Sequence, residues 1–100
     1  MKYFDWNKDK NITLKDERDV CFEDVVVAIE EGQLLDILKH HNDDKYPDQK
    51  IFVVNIDNYV YLVPFVEDEQ KFFLKTIIPS RKATRKYLML LESSQNMLHL

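Results

Sequence analysis

The sequence predicts an α+β domain with two N-terminal helices, an antiparallel sheet of three to four strands and a C-terminal helix. Three observations carry this reading: the 3.6-residue spacing of Phe22, Val25, Val26 and Ile29, the alternation between Ile51 and Val66, and the Pro79-Ser80 pair ahead of Arg81. A sheet with an apolar face needs helices to cover it, and this order of elements supplies them. One hundred residues at 45% hydrophobic content suffice for a single core, so the domain is placed at residues 1–92. Residues 93–100 form a tail that frays or extends an apolar face through Met97, Leu98 and Leu100.

Tyr3 to Trp6 reads as a short strand or an anchor, after which Asp5 or Asn7 caps a polar helix running to about Glu17. That helix has a thin apolar face, with Trp6, Ile12 and Leu14 as the main candidates for burial. The second helix spans Phe22 to Glu31, and Gly32, the sole glycine, falls where a left-handed cap is wanted. Leu34 to Leu38 is predicted as a strand, and His40 to Gln49 as a polar loop. Ile51 to Ile56 and Tyr59 to Val66 flank Asp57-Asn58, two residues that tolerate positive φ, which is a hairpin signature. Glu67 to Gln70 makes a turn and Lys71 to Ile78 the last strand. Pro64 has no N–H for a ladder, so its strand is bulged there or turns Pro64 outward from an unpaired edge. The C-terminal helix runs from Arg81 to about Glu92.

A net charge of −4 excludes a surface that is basic all over, so any contact with nucleic acid has to be local. Acidic residues crowd positions 16–31, and positive charge gathers between Lys71 and Lys86. Cys21 is the only cysteine, which leaves no intrachain disulfide and no cysteine-based zinc site and predicts an intracellular setting. With no signal-like N-terminal run and no stretch of about 20 apolar residues, the expectation is a soluble cytoplasmic protein without membrane contact. A single glycine rules out a glycine-rich phosphate loop. His40 and His41 invite a general-base role, but adjacent histidines point apart on a strand. With Asp43 and Asp44 they lack helical ligand spacing, so neither metal nor cofactor is expected.

The C-terminal helix carries the most informative pattern. Arg81, Lys82, Arg85 and Lys86 crowd its first turns, where the macrodipole is already positive and each cation costs a few tenths of a kcal/mol, up to about 1. At 100° per residue the four span about 140°, opposite Ala83, Tyr87, Leu90 and Leu91. A helix entrance with spare N–H groups and a basic face suits a phosphate; the alternative is a solvated face balanced by local carboxylates.

Two motifs, in their order and separation, resemble the BrnT family of bacterial type II toxins, whose fold is similar to RelE-type ribonucleases. The first is Phe4-Asp5-Trp6-Asn7-Lys8, then Asn11, then Val20-Cys21-Phe22-Glu23-Asp24-Val25. The second runs from Ile77-Ile78-Pro79-Ser80 through Arg81-Lys82-Ala83-Thr84 to Arg85-Lys86-Tyr87. The likeness covers about residues 3–88. There are three departures: Arg18 and Asp19 replace the family's histidine and glycine, Cys21 replaces a serine cap, and Lys86-Tyr87 stand where an acidic residue is common.

The resemblance implies a RelE-like fold and metal-independent cleavage of messenger RNA, held in check by a ribbon-helix-helix antitoxin that alone contacts DNA. It implies Arg81 and Arg85 as a phosphate clamp, Lys75 on the preceding strand adding charge to the same RNA-binding patch, Arg18 in place of the histidine, and Lys82 and Lys86 along the RNA backbone. Tyr87 and Tyr61 would offer a phenol for proton transfer or a ring for stacking. Each has a plainer rival: Tyr87 as core, Tyr61 as sheet packing, Arg18 as an exposed ion-pair partner. A relative that kept its partner interface and lost its chemistry, or a regulator that binds an acidic protein through the basic helix, fits the same residues.

Overall fold

The computed structural model describes residues 2–39, 45 and 49–89. In chain order these form β1 (Tyr3–Trp6), α1 (Lys8–Arg18), α2 (Phe22–Glu30), β2 (Leu34–Lys39), β3 (Gln49–Ile56), β4 (Tyr59–Glu67), β5 (Lys71–Leu74), β6 (Ile78–Pro79) and α3 (Arg81–Thr84), which continues as a π-helix over Arg85–Met89. The general α+β class is as the sequence predicts. The predicted histidine pair, most of the 40–49 loop, the end of the last helix and the 93–100 tail lie outside the described residues.

The helix ends follow from their capping residues. Of the two candidate caps for α1, Asn7 is used, its side chain accepting the Lys10 N–H at 3.0 Å. At the other end Asp19 takes a left-handed conformation, φ 54°, at the position where the resemblance places a glycine. Asn11 then ties the two helices together: its Oδ1 accepts the Phe22 N–H at 2.7 Å and its Nδ2 donates to Glu23 at 2.7 Å. The Cys21 N–H donates to the Asp24 carboxylate at 3.0 Å, as in a capping box. Gly32 closes α2 at φ 81°, with the Gln33 N–H reaching back to the Ala28 carbonyl at 2.8 Å.

The sheet differs from the predicted antiparallel meander. Among the described residues it has six strands in the order β1-β5-β4-β3-β2, with β6 paired to β4, and β1 lies parallel to β5. Asp57 and Asn58, at φ 52° and 64°, form the expected tight turn between β3 and β4. The predicted strand over Lys71–Ile78 is broken in two. β5 pairs with β4 as far as Leu74 opposite Phe65, and β6 resumes at Ile78 opposite Leu62, one residue out of step. Pro64 faces the break, so the strand's missing donor costs no ladder bond, and its carbonyl still accepts the Lys75 N–H at 2.8 Å. Pro64 is neither on an unpaired edge nor bulged itself: the partner strand carries the irregularity.

One sheet face holds the main core. Phe52, Val54, Val63, Phe65 and Leu74 pack there against Leu14, Val20, Phe22, Val25 and Ala28 of the helical layer, joined by Ile77. Phe52 and Phe65 stack at 3.8 Å between centroids, and Trp6 stacks on Phe22 at 5.6 Å. Ile12, expected inside, is 62% exposed, because α1 needs only Leu14 and the neighbouring Trp6 to attach. The opposite face is covered in part by α3 and its π-helical continuation, and Val53 and Val60 are fully buried there.

Two left-handed helix caps should respond oppositely to substitution. Gly32 has open space around its Cα, so Gly32→Ala pays only the left-handed strain, about 1 kcal/mol, seen as a lower urea midpoint. Asp19→Gly should raise that midpoint, since its ion pair with Lys15 at 3.2 Å is solvent-exposed and contributes little.

Candidate nucleic-acid interface

The basic helix is fastened to the centre of the sheet. Ser80 donates its N–H to the Val60 carbonyl at 3.0 Å, and the Val60 N–H donates to Thr84 Oγ1 at 2.9 Å, so the helix entrance satisfies both backbone groups of Val60. Ser80 also caps the helix, its Oγ accepting the Ala83 N–H at 3.0 Å. Arg85 donates its N–H to the Arg81 carbonyl, which sets the two arginines one α-turn apart, as their spacing predicts. Beyond Arg85 the turn widens into the π form. In regular α geometry Leu88 would fall beside Arg81 on the basic side, whereas here it is half-buried.

Arg81, Lys82 and Arg85 are exposed, and none makes an ion pair or side-chain hydrogen bond with a described residue. No described carboxylate neutralises them. Lys86 is set apart from these three, its Nζ lying 5.3 Å from the centroid of the Tyr87 ring. Lys75 lies in the break between β5 and β6, with its Nζ 5.6 Å from the Phe73 centroid. The Lys71 Nζ lies 5.7 Å from the same ring and pairs with Asp5 at 3.2 Å.

Arg18 forms no ion pair with a described residue, yet it is not a free cation. Its guanidinium donates to the Ile77 carbonyl, fixing the end of α1 to the chain just ahead of β6. Tyr61 and Tyr87 are held on opposite faces of the sheet. Tyr61 pairs with Val54 and Pro79 and packs against the main core, where burial and the nearby Tyr59, Asp57, Asp19 and Asp24 push its phenol above the ordinary value. Tyr87 instead crosses the other face and donates its hydroxyl to Asp36 of β2 at 2.8 Å. The predicted tyrosines thus do not converge on one centre, while Arg81, Lys82 and Arg85 share the helix entrance.

No protein-family model matches the chain, and no curated protein or solved structure matches it. Among the described residues no helix is long and apolar enough to cross a membrane, and no group of histidine, cysteine and acidic residues is placed to hold a metal ion.

Sequence reasoning missed Asp36 and Thr84. Asp36 is the one charged residue inside the apolar run Leu34-Leu35-Asp36-Ile37-Leu38, a signal that the strand has a polar partner. Its carboxyl is held below the ordinary value of 3.8, first by the Tyr87 hydroxyl, then by the Ile37 N–H at 2.8 Å and by Lys86. The Tyr87 phenol is raised above 10.0 by the same bond. A depressed carboxyl contributes stability above its unfolded value that is lost as pH falls through the folded one. The raised phenol loses its contribution as pH rises through its folded value. Tyr87→Phe should therefore lower stability near neutral pH, and its deficit against the parent should shrink in acid below the Asp36 titration, read from urea melts across pH.

Proposed function

We propose that the chain is an RNA-binding toxin of the BrnT and RelE kind, a metal-independent endoribonuclease that cleaves messenger RNA until an antitoxin binds it. The observation that carries this reading is the unneutralised set of Arg81, Lys82 and Arg85 at a helix entrance pinned to the central strand. Two guanidiniums one turn apart suit two oxygens of a phosphodiester, and Lys82 extends the contact along the backbone. In the reaction the ribose 2′-hydroxyl gives up its proton as its oxygen attacks the adjacent phosphorus, the bond to the 5′-oxygen breaks, and that oxygen takes a proton. The products are a 2′,3′-cyclic phosphate and a free 5′-hydroxyl. Negative charge builds on the phosphoryl oxygens in the transition state, and fixed cations there lower the barrier without a metal.

The candidate proton-transfer groups are engaged elsewhere. Tyr87 is bonded to Asp36, Arg18 to the Ile77 carbonyl, and Tyr61 packs against the main core on the other side of the sheet. These engagements favour a second reading, a toxin relative that retains RNA or antitoxin binding and has lost the chemical step. The expected antitoxin is a small ribbon-helix-helix protein, through which alone the pair would meet DNA.

Cleavage of single-stranded RNA in the presence of a chelator separates the two. The first reading expects cyclic-phosphate ends and a loss of about a hundredfold or more in rate for Arg81→Ala/Arg85→Ala with unchanged circular dichroism. Cleavage that survives the double substitution would remove the basic helix from the mechanism, and a parent that binds but never cuts would leave the binding module. Binding has its own signature: with three phosphate contacts, log K against log salt should slope at about −2, flattening by about 1.4 in the double variant.

A further inference from the structure

Among the described residues β1 and β2 are the edge strands of the sheet, and each carries an aspartate placed in the same way. On β1, Asp5 accepts the N–H of the next residue, Trp6, at 2.9 Å and holds Lys71 Nζ at 3.2 Å with its other oxygen. On β2, Asp36 accepts the Ile37 N–H at 2.8 Å, and its other oxygen takes the Tyr87 hydroxyl at 2.8 Å. The ladders show that both of these N–H groups point away from the sheet. The Tyr3 N–H donates to the Gln70 carbonyl, which in a parallel ladder turns the backbone groups of Tyr3 and Asp5 toward β5 and those of Phe4 and Trp6 outward. At the other edge the Asp57-Asn58 turn makes Ile56 and Tyr59 a bonded pair, so alternation sends the groups of Val54 and Phe52 to β4 and those of Val53 and Ile51 to β2. Val60 obeys the same alternation, for it stands opposite Asn55 yet gives its N–H to Thr84. Asp36 and Leu38, opposite Val53 and Ile51, therefore bond inward, and Ile37 and Lys39 present their backbone groups to the open edge.

An open edge is a template for another strand, and this one is flanked by apolar side chains, Ile37 at 51% exposure and Leu38 at 37%. The strand that fits it is β2 of a second copy. A closed two-fold dimer pairs the edges antiparallel, and continuity of the two sheet faces requires paired residues of like parity. Centred on Leu38, such a pairing sets Ile37 against Lys39 of the second copy and Lys39 against its Ile37, each pair exchanging two backbone hydrogen bonds through groups that already point outward. Leu38 then meets its own equivalent, and Ile37 lies along a lysine stem. The β1 edge is a poorer match, with four residues against six, and it runs straight into Asn7, the cap of α1. Six edge residues bury far less than the roughly 1,200–2,000 Å² of a stable complex, so the pairing is weak and one occupied N–H decides it.

We propose that the β2 edge is a pairing surface for a second copy of this chain, and that the Asp36 carboxylate keeps it closed by occupying the Ile37 N–H. The inference does not rest on RNA cleavage. Sedimentation equilibrium of the full chain at neutral pH tests it. Asp36→Ala should self-associate at least tenfold more tightly than the parent, into a dimer and nothing larger, with unchanged far-UV circular dichroism. Asp36→Thr, a better strand former, gives the same readout should alanine loosen β2. Adding Ile37→Pro removes the outward N–H without touching the ladder and should return either variant to a monomer. Tyr87→Phe leaves the carboxylate on Ile37 and should stay monomeric. With Cys21→Ser in place, Leu38→Cys/Asp36→Ala should form an intermolecular disulfide in air, because the Cα atoms of a non-hydrogen-bonded pair lie about 4.5 Å apart. An Asp36→Ala chain no more associated than the parent, equal association of Tyr87→Phe, dimers that survive Ile37→Pro, or absence of the Leu38→Cys cross-link would each overturn the proposal. RNA is absent throughout, so these outcomes leave the ribonuclease reading to its own test.

Discussion

The constraint on which the rest depends is a single missing N–H in the central strand. β4 bonds to β3 along its whole length, but at Pro64 its other edge has no donor to offer. The neighbouring chain leaves the ladder there and returns one residue out of step, as β6. Because side chains alternate along a strand, that extra residue reverses every side chain after it. Ile77 turns into the main core, Pro79 comes to lie beside Tyr61, and the chain arrives at Ser80 opposite Val60. An unbroken strand from Lys71 would deliver Ser80 with the opposite facing, and the basic helix would leave the sheet elsewhere. The Arg18 bond to the Ile77 carbonyl satisfies a group that the break would otherwise leave without a ladder partner.

Two helix ends carry charge of the locally unfavourable sign. The entrance of the C-terminal helix, where the dipole is positive, carries Arg81 and Lys82; the exit of α2, where it is negative, carries Glu30 and Glu31. In a chain selected for stability alone these charges would be exchanged, and nearby opposite charges would at least pair with them. Pairing happens elsewhere: Lys71 meets Asp5, and Lys2 meets Glu67. Among the described residues neither Arg81 and Lys82 at the one end nor Glu30 and Glu31 at the other take part in an ion pair.

The sequence made legible those elements whose signal is local. The 3.6-residue apolar spacing of α2, the left-handed Gly32 and the Asp57-Asn58 turn each depend on a few consecutive residues, and each is present. What it hid depends on residues far apart. Nothing within Tyr3–Trp6 announces a parallel partner at Lys71–Leu74, and a run such as Lys71–Ile78 shows no internal sign of the break that Pro64 dictates from another strand. The candidate site divides in the same way. The spacing of Arg81 and Arg85 is readable because one turn of helix sets it, whereas the fates of Tyr61 and Tyr87 depend on which face of the sheet each reaches. Tyr87 shares an apolar helix face in projection, yet the wider π turn and the carboxylate of Asp36 direct it across β2.

That crossing also explains how an exposed basic helix remains attached. The first turn buries no side chain fully, and its cations weaken it further, so its own propensity is a poor source of order. Its position is set instead by hydrogen bonds at two points. Ser80 and Thr84 hold the entrance to Val60, which is fully buried, and Tyr87 holds the next turn to Asp36 on the edge strand. Between these anchors Arg81, Lys82 and Arg85 face outward on a backbone that cannot rotate without breaking one of them. The anchors thus order the backbone beneath Arg81, Lys82 and Arg85, while the three exposed and unbonded side chains keep their own rotamer freedom.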